Sequence, residues 1–220
     1  MRPPDADRFA DARTKLLAHL ARRGWTPFEF QLNAWNAYLA GHSGLVHAPT
    51  GSGKTLAVFG GPLIEGLAHN LTERPKPARA KTSPFTILWL TPLRALANDT
   101  THALTAAALE LGLPWSVELR TSDTSSSIRK RQKERLPTVL VTTPESLSLQ
   151  LSYPDSLERM STLRCVIVDE WHELMSTKRG VQLELGLSRL RRLNPQLRVW
   201  GLSATLGNLQ ESLDVLMGHD

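Results

Sequence analysis

Short apolar runs recur along the chain: GLVHA (44–48), TILWL (86–90), VELRT (117–121), TVLVTT (138–143), CVIVDE (165–170) and RVWGLSA (198–204). Each is too short and too apolar for a surface strand with one wet face. They predict buried strands of a mostly parallel sheet, because strands covered on both sides carry continuous hydrophobic runs rather than alternation. Helix-like stretches lie between them, such as LAVFGGPLIEGLAH at 56–69. Strand and helix in regular alternation predict an α/β domain with helices on both faces of its sheet.

Two segments break the rhythm. Residues 72–84 hold Pro75, Pro77 and Pro84 among basic residues and suit neither a helix nor a central strand, so a surface loop is expected there. Residues 122–136 begin with a Ser/Thr/Asp cluster suited to capping a helix, followed by Arg129, Lys130, Arg131, Lys133 and Arg135. Such a run has two readings, a solvated helix face or a patch for an anionic partner.

Composition narrows the class without choosing a function. With 220 residues and 41% hydrophobic side chains the chain can build one substantial core. No apolar run approaches the ~18 residues of a membrane span, and the start lacks a signal-peptide core. The single cysteine, Cys165, excludes an internal disulfide and fits a reduced, soluble compartment. A net charge of +5 leans toward an anionic partner, but weakly.

The chemistry concentrates after three of the strands. Ala48-Pro49-Thr50-Gly51-Ser52-Gly53-Lys54-Thr55 follows the first strand and leads into a helix. Glycines there let successive backbone N–H groups turn inward around phosphates at a helix N-terminus. Lys54 would reach the β/γ-phosphates and Thr55 would hold Mg²⁺. The fifth strand ends in Asp169-Glu170-Trp171-His172. Asp169 suits a hard, oxygen-seeking Mg²⁺, and Glu170 suits the base that orients an attacking water. Leu202-Ser203-Ala204-Thr205 ends the last strand, where Ser203 and Thr205 would bond the Asp-Glu-Trp-His turn or simply cap a helix.

In this order the segments resemble motifs I, II and III of superfamily 2 DEXH-box helicases. Trp171 inside the acidic box, with Lys178-Arg179-Gly180 after it, narrows the resemblance to the Lhr (large helicase-related) family, in its Lhr-Core or ligase-associated form. The resemblance implies a RecA-like P-loop domain over 28–220, preceded by a helical extension over 1–27. It also implies an adenine site at Phe28 and Gln31, and ATP as substrate, held by Thr50, Gly51, Ser52, Gly53, Lys54 and Thr55. His172 would couple this site to motif III. Thr91 and Arg94, Thr121 and Asp123, and Thr143 match nucleic-acid motifs after strands two, three and four. Ser122 stands where the family usually has glycine, so a close approach of nucleic acid to that backbone is less free.

The implied partners are single-stranded DNA or a tailed duplex, an RNA–DNA hybrid included, and a second RecA-like lobe with further C-terminal domains. Motifs IV to VI, with the arginine finger, belong to that lobe and find no match in these residues. The resemblance thus implies part of a longer 3′-to-5′ DNA helicase or translocase acting in DNA repair, cytoplasmic and nucleoid-associated in a bacterium, with little turnover alone. A nucleotide and nucleic-acid switch without turnover is the competing reading. A small-molecule kinase would explain neither Asp-Glu-Trp-His nor Ser-Ala-Thr. Among the tryptophans, Trp89, Trp115 and Trp200 are expected in packing, Trp171 bracing motif II and Trp25 near the adenine.

Overall fold

The computed structural model describes residues 3–70, 84–205 and 209–218, with side chains from residue 7. The proline-rich loop expected at 72–84 therefore lies, Pro84 aside, outside the described residues. In chain order the elements are α1 (Pro3–Arg22), α2 (Glu29–Leu39), β1 (Gly44–His47), α3 (Lys54–Asn70), β2 (Ile87–Leu90), α4 (Arg94–Glu110), β3 (Val117–Arg120) and α5 (Ser126–Glu134). They continue as β4 (Val139–Thr142), α6 (Pro144–Leu151), α7 (Ser156–Arg159), β5 (Cys165–Val168), α8 (Trp171–Leu174), α9 (Lys178–Leu193), β6 (Arg198–Ser203) and α10 (Leu209–Met217).

The strands form a parallel sheet in the order β1-β6-β5-β2-β4-β3. Side chains along each strand alternate between two cores. Ile87 and Trp89 of β2 face a core built with α1, α2, α3 and α4, while Leu88 and Leu90 face one built with α6, α8, α9 and α10. The buried-strand expectation holds for β2, β4, β5 and nearly all of β6. It fails for β1 and β3, which remain half-exposed. Each stands at an edge of the sheet with one neighbour, so no flanking strand completes its cover.

Helix α1 is fastened to the domain, with Ala12, Leu16 and Leu20 inside the first core. Close packing of α2 on α3 depends on Gly60 and Gly61: a Cβ at Gly60 would lie 2.1 Å from the Trp35 indole nitrogen. That nitrogen donates to the Leu56 carbonyl at 2.9 Å. At the end of the sheet where the strands begin, Glu65 accepts from Tyr38, Arg164 and Arg198. Burial opposes ionisation of Glu65, but Arg198, Tyr38 and Arg164 hold its carboxyl below the ordinary value. That charge cluster fixes the pole opposite the candidate site.

Candidate nucleotide and nucleic-acid site

Strand order sorts the motifs into two groups along the carboxyl edge of the sheet. Adjacent strands β1, β6 and β5 carry the phosphate loop, Ser203 and the Asp169-Glu170 pair. Adjacent strands β2, β4 and β3 carry Thr91, Thr143 and Thr121. Ligands of parallel sheets bind beyond this edge.

Glycine is required at two points of the phosphate loop, where Gly51 and Gly53 adopt φ of 80° and 83°. The loop is tied to β6 at its root, because the Ala48 amide donates to the Ser203 carbonyl at 3.2 Å. Lys54 is buried, and its ammonium donates to the carbonyls of Ala48 (2.7 Å) and Pro49 (3.1 Å). A nucleotide phosphate would compete for those same protons. Thr55 follows at the exposed start of α3, and Ser52 Oγ donates to the Pro49 carbonyl at 2.6 Å. Exposed Thr50 lies beside them on the rim of the loop.

Gln31 packs against the phosphate loop. Its side chain is 3% exposed, with Nε2 donating to the Gly53 carbonyl at 2.9 Å and Oε1 accepting from the Phe28 amide at 2.9 Å. Both ends of the amide are engaged by protein, so in this conformation Gln31 braces the phosphate loop rather than presenting a pair of hydrogen bonds to an adenine. Phe28 and Trp25 are more than half exposed beside it, with Arg23 stacked 4.4 Å from the Trp25 ring centre.

Asp169 and Glu170 form a strained corner. Glu170 sits at φ 45° and ψ 49°, left-handed backbone that costs a side-chain-bearing residue roughly 1–2 kcal/mol. Its amide donates to Asp169 Oδ1 at 3.0 Å, and its carbonyl accepts from the Glu173 amide at 2.9 Å. Trp171, fully buried, donates to the Ser212 carbonyl at 2.9 Å and pins the corner to α10. Burial and then the Glu170 carboxylate raise the Asp169 carboxyl above its ordinary value, against opposing contributions from the Glu170 amide, Trp89 and Lys54. The Asp169 carboxyl and the Thr55 hydroxyl on the loop are hard oxygen donors of the kind that Mg²⁺ takes beside a phosphate. Among the described residues no cluster of His, Cys, Asp and Glu forms a closed metal cage.

The link to motif III is direct. Ser203 Oγ donates to the Thr205 carbonyl at 2.7 Å, which leaves it to accept from His172 Nδ1 at 3.0 Å. The proton is assigned to Nδ1 by this hydrogen-bond logic. Glu170 Oε2 lies 3.4 Å from the same nitrogen. Thus Glu170, His172 and Ser203 form one string beside the phosphate loop. Trp89 is a member that sequence reasoning placed only in the core. It is fully buried, packs edge-on against Phe59, and donates from Nε1 to Asp169 Oδ2 at 3.4 Å. A tryptophan two residues before Thr91 carried no sequence signal of this, since β2 and β5 become neighbours only in the sheet.

In the other half of the edge the threonines turn inward. Thr91, Thr121 and Thr143 are 0%, 6% and 4% exposed. Thr143 caps α6, Thr121 Oγ1 accepts from the Asp123 amide, and Thr91 Oγ1 contacts the Leu93 carbonyl. Their side chains hold the turns. Arg94 and Asp123 are exposed and pair with each other at 3.4 Å. Arg179 and Glu145 pair across α9 and α6.

Comparison with known proteins agrees with this geometry. The DEAD/DEAH box helicase model matches residues 28–212. Lhr helicase/probable uracil glycosylase of Mycolicibacterium smegmatis is 40% identical over a 205-residue alignment that covers 88% of this chain and 13% of that protein. ATP-dependent helicase Lhr-Core of Methanocaldococcus jannaschii is 38% identical over 81% of this chain and 22% of its own length. The structure of Mycobacterium smegmatis helicase Lhr bound to ssDNA and AMP-PNP superposes with a TM-score of 0.77 and 34% identity, covering 96% of this chain and 26% of that one. The DUF1998 helicase MrfA bound to DNA and AMPPNP matches at TM-score 0.75 and 24% identity, a likeness of fold alone, over 93% of this chain and 28% of that one. The 220 residues thus span well under a third of these relatives. Among the described residues no helix is long and apolar enough to cross a membrane.

Proposed function

The chain belongs to the DEAD/DEAH box helicase family, and from that premise we propose that it is the ATP-binding lobe of an Lhr-type DNA helicase or translocase. The string from Glu170 through His172 to Ser203, beside a glycine loop whose lysine is held over it, carries the reading. ATP phosphates replace the Ala48 and Pro49 carbonyls as partners of Lys54. Thr55 and Asp169 would hold Mg²⁺, which would supply positive charge beside the phosphates. Glu170 takes the proton of the attacking water. His172 and Ser203 then sense the presence or loss of the γ-phosphate, and the hydrogen bond between the Ser203 carbonyl and Ala48 joins that response to the loop.

Nucleic acid would lie along the carboxyl ends of β2, β4 and β3, met by turn amides and by Arg94. Support for single-stranded DNA comes from the ligands of the M. smegmatis Lhr structure. Movement 3′-to-5′ and a place in DNA repair rest on kinship with that family. The transition-state arginine would come from a second RecA-like lobe, and such a residue is worth about 10³–10⁵ in rate. The 220 residues alone should therefore bind nucleotide and turn it over slowly.

The test is phosphate release from ATP and Mg²⁺, with and without single-stranded DNA, with Lys54→Ala as the blank. Release near the blank, rising when a second lobe is supplied, supports the reading. Nucleotide affinity unchanged in Lys54→Ala would remove the phosphate-loop assignment. Strong DNA-stimulated release by the chain alone would show that it needs no second lobe.

A further inference from the structure

Helix α5 leaves the Thr121–Thr124 turn with Arg129, Lys130, Arg131 and Lys133 in its nine residues and one acidic residue, Glu134. Its four cations are all exposed. Arg131 pairs with Glu118 at 2.9 Å, and among the described residues the others pair with no carboxylate. Arg129 folds back to donate to the carbonyls of Thr124 (2.6 Å) and Ser122 (3.3 Å), which fastens the helix to the turn. Lys133 reaches only the Tyr153 ring, at 5.2 Å.

The excess of positive charge continues beneath the helix. Tyr153 also has Arg159 at 5.9 Å from its ring, and its hydroxyl meets Arg120 Nη2 at 3.5 Å. Arg120 is 3% exposed, and among the described residues its Nη1 has no hydrogen-bond partner. Its guanidinium is pushed below its ordinary value by burial, with Tyr153 opposing and Arg159 and Arg129 adding to the fall. Among the described residues Arg120 pairs with no carboxylate, Arg159 has Asp155 at 3.9 Å, and the helix face above has the one pair Arg131–Glu118, so the corner is short of negative charge. Solvation alone would serve the exposed lysines, but it does not account for a buried arginine set among other cations.

We propose that the outer face of α5, with the Tyr153 corner below it, is a phosphate-binding stretch of nucleic-acid surface that continues from the Thr121–Thr124 turn. The inference rests on the helicase reading and extends it beyond the motif turns. Continuity selects the occupant. A strand whose backbone crosses the amides of that turn arrives at the first turn of α5, which Arg129 locks in place. The helix then offers about 13 Å of cationic face at about 1.5 Å per residue. Phosphates would meet Lys130 and Lys133 as solvated charges, so the contact reads no sequence.

The experiment is a salt titration of oligo(dT) binding by the 220-residue chain saturated with a non-hydrolysable ATP analogue. Wild type is compared with Lys130→Gln/Lys133→Gln, in which exposed side chains lose their charge but stay polar, and nucleotide binding serves as the folding control. Two lost phosphate contacts should weaken binding roughly tenfold at low salt and make the plot of log K against log salt shallower by about 1.4. A charge-matched variant on α1, Lys15→Gln/Arg22→Gln, should stay within about twofold of wild type, since α1 packs on the other face of the sheet. Wild-type binding with an unchanged slope in the α5 variant, or an equal loss in the α1 variant, overturns this inference and leaves the helicase reading standing. Failure of the wild-type chain to bind oligo(dT) in any nucleotide state overturns both.

Discussion

The two halves of the sheet edge use the same strand-then-turn architecture in opposite ways. Beyond β1, β6 and β5 the functional side chains point at one another and toward the place of the phosphates: Lys54 over its loop, Glu170 against His172, His172 against Ser203. Backbone there is forced into left-handed geometry at Gly51, Gly53 and Glu170. Beyond β2, β4 and β3 the threonines are buried as caps, and the turns present main chain and two mutually paired charges. Phosphoryl transfer needs groups fixed to within a fraction of an ångström, so strain and burial are worth their cost there. On the proposed function the other half grips a moving polyanion, which needs many weak, exchangeable contacts of the kind that amides and solvated cations supply.

Glu170→Gln would test this contrast most severely. The amide keeps the shape of the corner and a partner for His172, but cannot take a proton. In the chain joined to its second lobe, turnover should fall by about 10²–10⁴ while ATP affinity stays within a few-fold, read by phosphate release and by equilibrium nucleotide binding. Turnover equal to wild type would take Glu170 out of the base role and leave the nucleotide half without its central side chain.

Thr143→Val gives the opposite kind of result. Loss of the N-cap should lower stability by about 1 kcal/mol, seen as a lower midpoint in urea. Affinity for oligo(dT) should stay within about twofold, because on this reading amides rather than the hydroxyl meet the phosphates. A large loss of DNA affinity at unchanged stability would mean that the hydroxyl faces nucleic acid after all, and the two halves would then work alike.

This contrast also explains what could be read along the chain. Phosphate-loop glycines are legible because the φ of Gly51 and Gly53 excludes other residues, and Asp169-Glu170 because a β-branched run delivers them to a strand end. The parallel sheet follows from apolar runs alone. Hidden features depended on which segments become neighbours. Gln31 meets Gly53 across 22 positions and Trp89 meets Asp169 across 80. The sequence also holds no sign that Arg120 is buried, since a basic residue ending a strand reads as exposed. Likewise Thr91, Thr121 and Thr143 show their residue type in sequence, but only the turn geometry decides that they face inward.

Asp123→Asn probes the smallest effect and the finest point of the comparison. Arg94 and Asp123 pair at 3.4 Å with both side chains well exposed, so water and salt screen the contact and it contributes little to stability. Its position gives it a consequence for binding: a phosphate arriving at Arg94 must displace this carboxylate and tolerate its charge. Neutralising it frees Arg94 and removes a repulsion, while the Asp123 amide keeps its bond to Thr121 Oγ1 and the turn retains its shape. Oligo(dT) affinity should rise about threefold at low salt, with a salt slope steeper by about 0.7 if Arg94 gains one phosphate. Weaker binding would mean instead that the carboxylate holds Arg94 in the orientation that receives the strand. In that case the nucleic-acid half would share the side-chain preorganisation of the nucleotide half, at one pair if nowhere else.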